Sequence, residues 1–292
     1  MKKMRVLAFV LAAMAMMFLF AGCTGNDAGS SAAGSSAAGS SAAVEPEPEE
    51  PAEPATSDIE GDIMIAAAAS LENALADRLI PLFNETYPNI TVKGTYDSSG
   101  KLQTQIEEGL EADLFFSAAL KQMDALTEEG LIDEASRKDL LLNEVVLITS
   151  PDSGTAVTGF ANITDAETIA IGDPESVPAG QYAQEVLTSL GVWDAVNAKA
   201  SLGTNVTEVL TWVAEGSAEV GVVYATDAAS LPDEVVVLES APADTLQTPV
   251  VYPVALLART PEDQKAAAQA FLDFLTGDEA MVVFEEYGFK PY

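Results

Sequence analysis

The groups in this chain that could do chemistry are two serines, a tyrosine and two nearly bare helix openings, and what they share is hydrogen-bond donation. The segment 169–183 reads as a β-branched run (Ile169, Ile171) that stops at Gly172. A turn follows, Asp173-Pro174-Glu175-Ser176-Val177-Pro178, and a helix opens at Ala179. Tyr182, Val186 and Leu190 share one face of that helix, and Gly191 is placed to close it as the C′ residue. Ala179 and Gly180 leave the first turn almost without side chains. Backbone N–H groups then stand exposed at the positive end of the helix dipole, which is what an anion needs.

Three more segments share this design. Asp62–Ala66 reads as a strand running through Ala67-Ala68-Ala69 to Ser70, after which Leu71, Leu75, Leu79 and Leu82 recur at helical spacing. Ser70 is a natural N-cap there, and Pro81 predicts a kink or an early stop. Ile90–Tyr96 is a second strand, leading through Asp97-Ser98-Ser99-Gly100 to a helix with Leu102, Ile106 and Leu110 on one face. Thr204-Asn205-Val206 opens a third helix, carried by Val206, Val209, Leu210 and Val213. Taken singly, each opening reads as an ordinary cap or turn. Among the four, Lys101 is the only basic residue in a first turn. The strand Val220–Tyr224 then delivers a tyrosine at its carboxyl end. Ligands of open α/β sheets bind at the carboxyl ends of strands, so Ser70, Ser99, Ala179, Val206 and Tyr224 could converge.

Composition removes several function classes. The chain has no histidine, which excludes Ser–His–Asp triads, imidazole acid/base chemistry and the commonest transition-metal ligand. Gly-x-Gly-x-x-Gly and Walker patterns are absent. A formal charge of −33 makes nucleic acid or an acidic membrane surface a poor partner. It does not exclude an anionic ligand. Diffuse surface charge is screened over roughly 8 Å at physiological salt, whereas donors at contact distance in a dry cleft are not.

The N-terminus reads as a leader. Lys2, Lys3 and Arg5 precede an apolar run from Val6 to Phe20, and Ala21-Gly22-Cys23 follows, the pattern of a signal peptide over 1–22. Cys23, the only cysteine, reads as the acylated first residue of a lipoprotein, against the alternative of a signal peptide cut elsewhere. Residues 23–58 form a lipidated N-terminus and linker, first Gly-Ser-Ser-Ala-Ala repeats and then an acidic Pro-rich stretch. A chain of that length reaches ~30–35 Å on average, enough to tether a domain to a membrane and leave it free to move.

Strands and helices alternate from Ile63 onward, which argues for an α/β fold with mainly parallel sheets. The chain can change lobes at the strand-like run 140–149 and return at 250–257. Lobe one would then hold 59–142 plus 251–292, and lobe two 143–250. A helix over 261–276, stopped by Gly277, packs back on lobe one.

Seven motifs in order resemble the molybdate-binding proteins of ABC importers: Ala-Ala-Ala-Ser-Leu (67–71), Ser-Ser-Gly-Lys-Leu (98–102), Ala-Asp-Leu-Phe-Phe-Ser-Ala (112–118), the Gly-Asp-Pro-Glu segment (172–183), Val-Val-Tyr-Ala-Thr-Asp-Ala (222–228), Val-Tyr-Pro-Val-Ala (251–255) and Tyr-Gly-Phe (287–289). Gly100 and Lys101 stand where that family has a more Ser/Thr-rich loop. The resemblance implies a two-lobe, periplasmic-binding-protein-like fold of type II with hinge strands between the lobes. It implies an extracytoplasmic receptor and no enzyme, binding molybdate or tungstate through the hydroxyls of Ser70, Ser99 and Tyr224 and the amides of Ala179 and Val206. Molybdenum would be present only as the oxyanion, with no cofactor. The implied partner is an ABC permease, with membrane contact only through the lipid on Cys23, and the receptor is expected to be a monomer. The alternatives are a receptor of the same fold for sulfate, phosphate (Asp97 accepting its proton) or ferric ion, and a secreted carboxylate-dependent hydrolase or transferase.

Overall fold

Residues 58–292 are described by the structure, a computed structural model. The expected signal peptide, the acylated Cys23 and the linker as far as residue 57 lie outside the described residues. From Gly61 the chain forms β1 (Gly61–Ala68), a run of helical turns α1 (69–86), β2 (Ile90–Asp97), α2 (Ser99–Glu107), β3 (Leu114–Phe116), α3 (Leu120–Glu128) and β4 (Lys138–Asn143). It continues as β5 (Val145–Thr149), β6 (Ile169–Gly172), α4 (Pro178–Ser189), α5 (Trp193–Asn197), β7 (Ala200–Gly203), α6 (Val206–Ala214), β8 (Val220–Tyr224), α7 (Ala225–Ser230) and β9 (Val236–Ser240). β10 (Val250–Leu256), α8 (Lys265–Leu275), α9 (Asp278–Glu286) and β11 (Lys290–Pro291) complete it.

The strands make two sheets, one ordered β11-β4-β10-β3-β1-β2 and the other β7-β6-β8-β5-β9. This is the expected two-lobe α/β architecture. Within each lobe the βαβ units are parallel: β1 pairs with β2 and β3, and β6 with β7 and β8. The sheets as wholes are mixed, because β10 runs antiparallel to β3 and β4, and β5 antiparallel to β8 and β9. A strand that enters from the other lobe is not tied by a helical crossover, so nothing forces it to run parallel. The apolar run 140–149 is accordingly two strands, one in each sheet, with Glu144 between them. The return passes from Ser240 to Val250, and Val250 pairs with Asn143, so the two crossings lie side by side.

Packing follows the periodicity. β1 and β8 are buried on both faces, as inner strands covered by helices on either side must be. Leu71, Leu75 and Leu79 bury one face of α1. Pro81 does not stop that helix. A π turn over Leu75–Leu79 precedes it and the helix continues from Ile80 to Thr86; the wider turn carries the chain past the hydrogen bond that proline cannot make. α8 starts at Lys265 rather than Pro261 and buries Ala267, Phe271 and Leu275. Phe271 meets Phe83 of α1 edge-on, with ring centroids 4.9 Å apart, so α8 closes on the first lobe as expected. Gly191, at φ +74°, follows α4 in the left-handed conformation its C′ position calls for.

Candidate ligand-binding site

The first lobe brings the turns after β1 and β2 to the cleft, and the second brings the starts of α4 and α6 and the end of β8. Ser70, Ser99, Ala179, Val206 and Tyr224 all line one cavity there, with Asp97, Ser98, Ala118 and Pro178 among its other walls. The cavity volume is about 10 Å³, roughly what one water molecule needs and far below the ~300–1,000 Å³ of pockets for organic ligands. Such a space, with both lobes closed on it, suits a ligand of very few atoms. A groove of about 670 Å³ adjoins it, but Glu72, Asp77, Asp227 and Glu286 line that groove, which makes it a poor seat for an anion.

Neither serine is the helix cap that spacing suggests. Ser70 lies inside a 3-10 turn, Ala69–Leu71, whose N-cap is Ala68, so the turn begins two residues too early for Ser70 to cap it. Its Oγ is instead 2.9 Å from Tyr252 Oη. At the second turn Ser98 is the cap, its Oγ accepting from Lys101 N–H at 3.4 Å. Ser99, fully buried at the first helical position, accepts from Ala118 N–H at 2.9 Å. A hydroxyl whose oxygen accepts from a backbone N–H has its own hydrogen left to donate elsewhere.

The two amides stand at true helix starts. Pro178 opens α4, its fixed φ suiting the first position, and Ala179 follows it. The bare first turn is also a packing requirement, because a Cβ on Gly180 would sit 2.0 Å from Gly172 O. Val206 is the first residue of α6. Asn205 caps that helix, accepting from Glu208 N–H at 2.9 Å, while Glu208 Oε2 accepts from Thr204 N–H at 2.7 Å. These reciprocal bonds hold the turn and leave the Val206 N–H ahead of the first intrahelical bond.

Tyr224 ends β8. Its Oη is buried and has no hydrogen-bond partner among the described residues, an exposed cost for a polar atom that folded proteins normally satisfy. Burial pushes its phenol well above the usual value, with Tyr252, Tyr182 and Asp227 adding to the effect, so it stays a donor. Asp227 beside it accepts from Tyr224 N–H at 3.0 Å. Burial pushes that carboxyl up to about 7, and the same N–H partly offsets it. Asp97 Oδ1 accepts from Ser98 N–H at 2.7 Å and pairs with Lys101 Nζ at 3.3 Å.

Three features escape a reading by spacing. Tyr252, visible only as part of the motif 251–255, stands behind Ser70. Gly100 N–H donates across the lobes to Ser176 O at 2.9 Å, and Gln122 Nε2 to Gln181 Oε1 at 3.2 Å. No cluster of His, Cys, Asp and Glu fit to hold a metal cation is present among the described residues. The five expected groups around this cavity, three hydroxyls and two helix-start amides, are neutral and come from both lobes, with the Asp97 carboxylate on the same wall.

Residues 63–290 match a family described as bacterial extracellular solute-binding protein. Among curated relatives, a protein provisionally named as an ABC transporter substrate-binding lipoprotein, YvgL of Bacillus subtilis, is 37% identical over 96% of this chain and 96% of its own. The molybdate-binding protein ModA of Escherichia coli is 36% identical over 79% of this chain and 89% of its own. A solved substrate-binding domain from Clostridium difficile, provisionally ascribed to a molybdenum ABC transporter, superposes with a TM-score of 0.61 at 38% identity, covering 79% of this chain and 99% of its own.

Proposed function

The chain belongs to the bacterial extracellular solute-binding protein family, and on that premise we propose that it is a receptor for molybdate, with tungstate as a close analogue, delivering the ion to the permease of an ABC importer. Members of the family serve as substrate-binding receptors of transporters. The observation that carries the finer reading is the meeting of Ser70, Ser99, Ala179, Val206 and Tyr224 around one small cavity, three neutral hydroxyls and two helix-start amides without a cation among them. Such a set can donate a hydrogen bond from each of its five members, and a fully ionised tetrahedral oxyanion offers only acceptors. Lobe one (59–142 plus 251–292) and lobe two (143–250) each contribute, so the bound ion holds the cleft shut.

Calorimetric titration of residues 58–292 with molybdate, tungstate, sulfate and phosphate tests this. Molybdate and tungstate, alike in charge and size, should bind within about tenfold of each other. Sulfate, with shorter bonds to oxygen, leaves some donors stretched, and phosphate brings a proton that the donors cannot accept. Each should bind at least about a hundredfold more weakly, ~2.7 kcal/mol. Sulfate or phosphate binding as tightly as molybdate would overturn the choice of ion, and phosphate doing so would turn attention to Asp97. Tethering by lipid on Cys23 is part of the same proposal. Cys23→Ser should release the protein from membranes or leave uncleaved precursor, and unchanged processing and fractionation would rule out the anchor.

A further inference from the structure

Behind Ser70 runs a buried chain of hydrogen bonds that does not itself line the cavity. Glu144 N–H donates to Asn143 Oδ1 at 2.8 Å, which fixes the orientation of that side-chain amide. Its Nδ2 therefore faces the other way and donates to Thr226 Oγ1 at 2.9 Å and to Tyr252 Oη at 3.1 Å. Tyr252 Oη in turn lies 2.9 Å from Ser70 Oγ. Asn143 ends β4, Tyr252 sits in β10 and Thr226 in α7, so the chain of bonds follows the place where the polypeptide crosses between lobes. All three side chains are buried.

The direction of the last bond decides what Ser70 can offer. A phenol has one hydrogen, and burial of Tyr252 holds it in place. Either atom of the Tyr252–Ser70 pair can donate; with Asn143 already donating to the phenol oxygen, the arrangement that frees the Ser70 hydrogen for the cavity has Tyr252 donating to Ser70 Oγ. Ser70 then accepts from behind and has only its own hydrogen to offer forward. Ser99 reaches the same state through a different donor, the Ala118 N–H. In this arrangement two unrelated pieces of the fold each donate to one serine oxygen and leave each hydroxyl hydrogen free to be given to a ligand.

Resting on the reading of this cavity as an oxyanion site, we propose that Tyr252 and Asn143 are positioning residues that hold Ser70 as a hydrogen-bond donor and so make the site selective for oxyanions that carry no proton. A ligand O–H needs an acceptor, and with each serine oxygen already taking a bond from the protein and its hydrogen turned to the cavity, neither serine is set to receive that proton; the Asp97 carboxylate is the acceptor on the cavity wall. Without the Tyr252 hydrogen, the Ser70 oxygen is free to turn and accept.

The test compares molybdate, sulfate and hydrogenphosphate at mildly alkaline pH in the wild type, Tyr252→Phe and Asn143→Asp, each measured by direct titration or displacement of molybdate. Tyr252→Phe removes the donor to Ser70. Asn143→Asp keeps the shape but reverses the chain: a carboxylate accepts from Tyr252 O–H, and Tyr252 then accepts from Ser70. In both variants molybdate and sulfate should weaken together by about tenfold while hydrogenphosphate holds or tightens, so that the molybdate-to-hydrogenphosphate preference falls tenfold or more. A role in packing or a change of local charge would move all three dianions alike. Equal weakening of all three, or no change in any, in a wild-type background that binds molybdate overturns the proposal and leaves the receptor reading standing. Failure of the wild type to bind molybdate overturns both. Should Tyr252→Phe not fold, the near-isosteric Asn143→Asp decides alone.

Discussion

Gly100→Ala should separate closure of the cleft from the ligand contacts. Gly100 sits in the first turn of α2, and its N–H donates to Ser176 O of the second lobe at 2.9 Å. A Cβ placed there would lie 2.3 Å from Ser176 O and 2.8 Å from both Ser176 C and Cα. Three backbone atoms cannot step aside as a side chain would. Ordinary contact begins near 3.4 Å, so alanine is about 1 Å short of room and the lobes must part by a comparable distance. That forfeits a hydrogen bond worth roughly 0.5–1.5 kcal/mol, and residual overpacking adds a penalty within the ~1–3 kcal/mol typical of such changes. Together these come to about 1.5 kcal/mol or more, so molybdate affinity should fall at least about tenfold. In the ligand-free protein alanine is the better helix residue by up to ~1 kcal/mol, so the melting temperature should hold or rise slightly. Titration calorimetry and a thermal melt on the same sample read both quantities. Ser176→Ala, which keeps the carbonyl, should bind as the wild type does. Wild-type affinity in Gly100→Ala would refute the reasoning, since the contact would then have no part in the bound state.

Tyr224→Phe removes a buried hydroxyl that has no hydrogen-bond partner among the described residues; melting temperature should hold or rise while molybdate affinity falls about tenfold or more, and a fall in stability without loss of affinity would count against a ligand role. The two adjacent serines should behave differently. Ser98→Ala loses the cap of α2 and should cost ~0.5–2 kcal/mol of stability with little change in binding, whereas Ser99→Ala should weaken binding about 10- to 150-fold, the range for a hydrogen bond to a charged group. Equal affinity in both serine variants would misplace the site. Asp227 supplies the pH signature. Its carboxyl is pushed up to about 7 in the folded protein against about 3.9 unfolded, so between those values the folded state binds more protons and its stability falls as pH rises. Asp227→Asn cannot titrate and should gain stability over the wild type increasingly from about pH 4 to 7, then by a constant amount; urea midpoints across that range check it, and parallel curves would contradict the assignment.

How much of this was legible in the chain depends on how local each feature is. Alternating strand and helix patterns, the C′ glycine after α4, the bare first turn at Ala179 and the tyrosine ending β8 are set by residues within one or two turns of each other, and the sequence alone determined them. The polarity of the donor set followed too, since a chain without histidine and without cations at most helix starts has hydroxyls and amides to offer. Tertiary structure decided what each group was bonded to. Spacing made Ser70 and Ser99 look like caps, but a cap is chosen by where the backbone turns, and β1 turns at Ala68 while α2 takes Ser98. The crossing strands run antiparallel because they arrive from the other lobe, a direction no local pattern encodes. Tyr252 lies 182 residues from Ser70 in sequence and Asn143 lies 109 from Tyr252. Hydrogen bonds of that kind depend on two distant backbones reaching the same ångström, which only the packed sheets bring about.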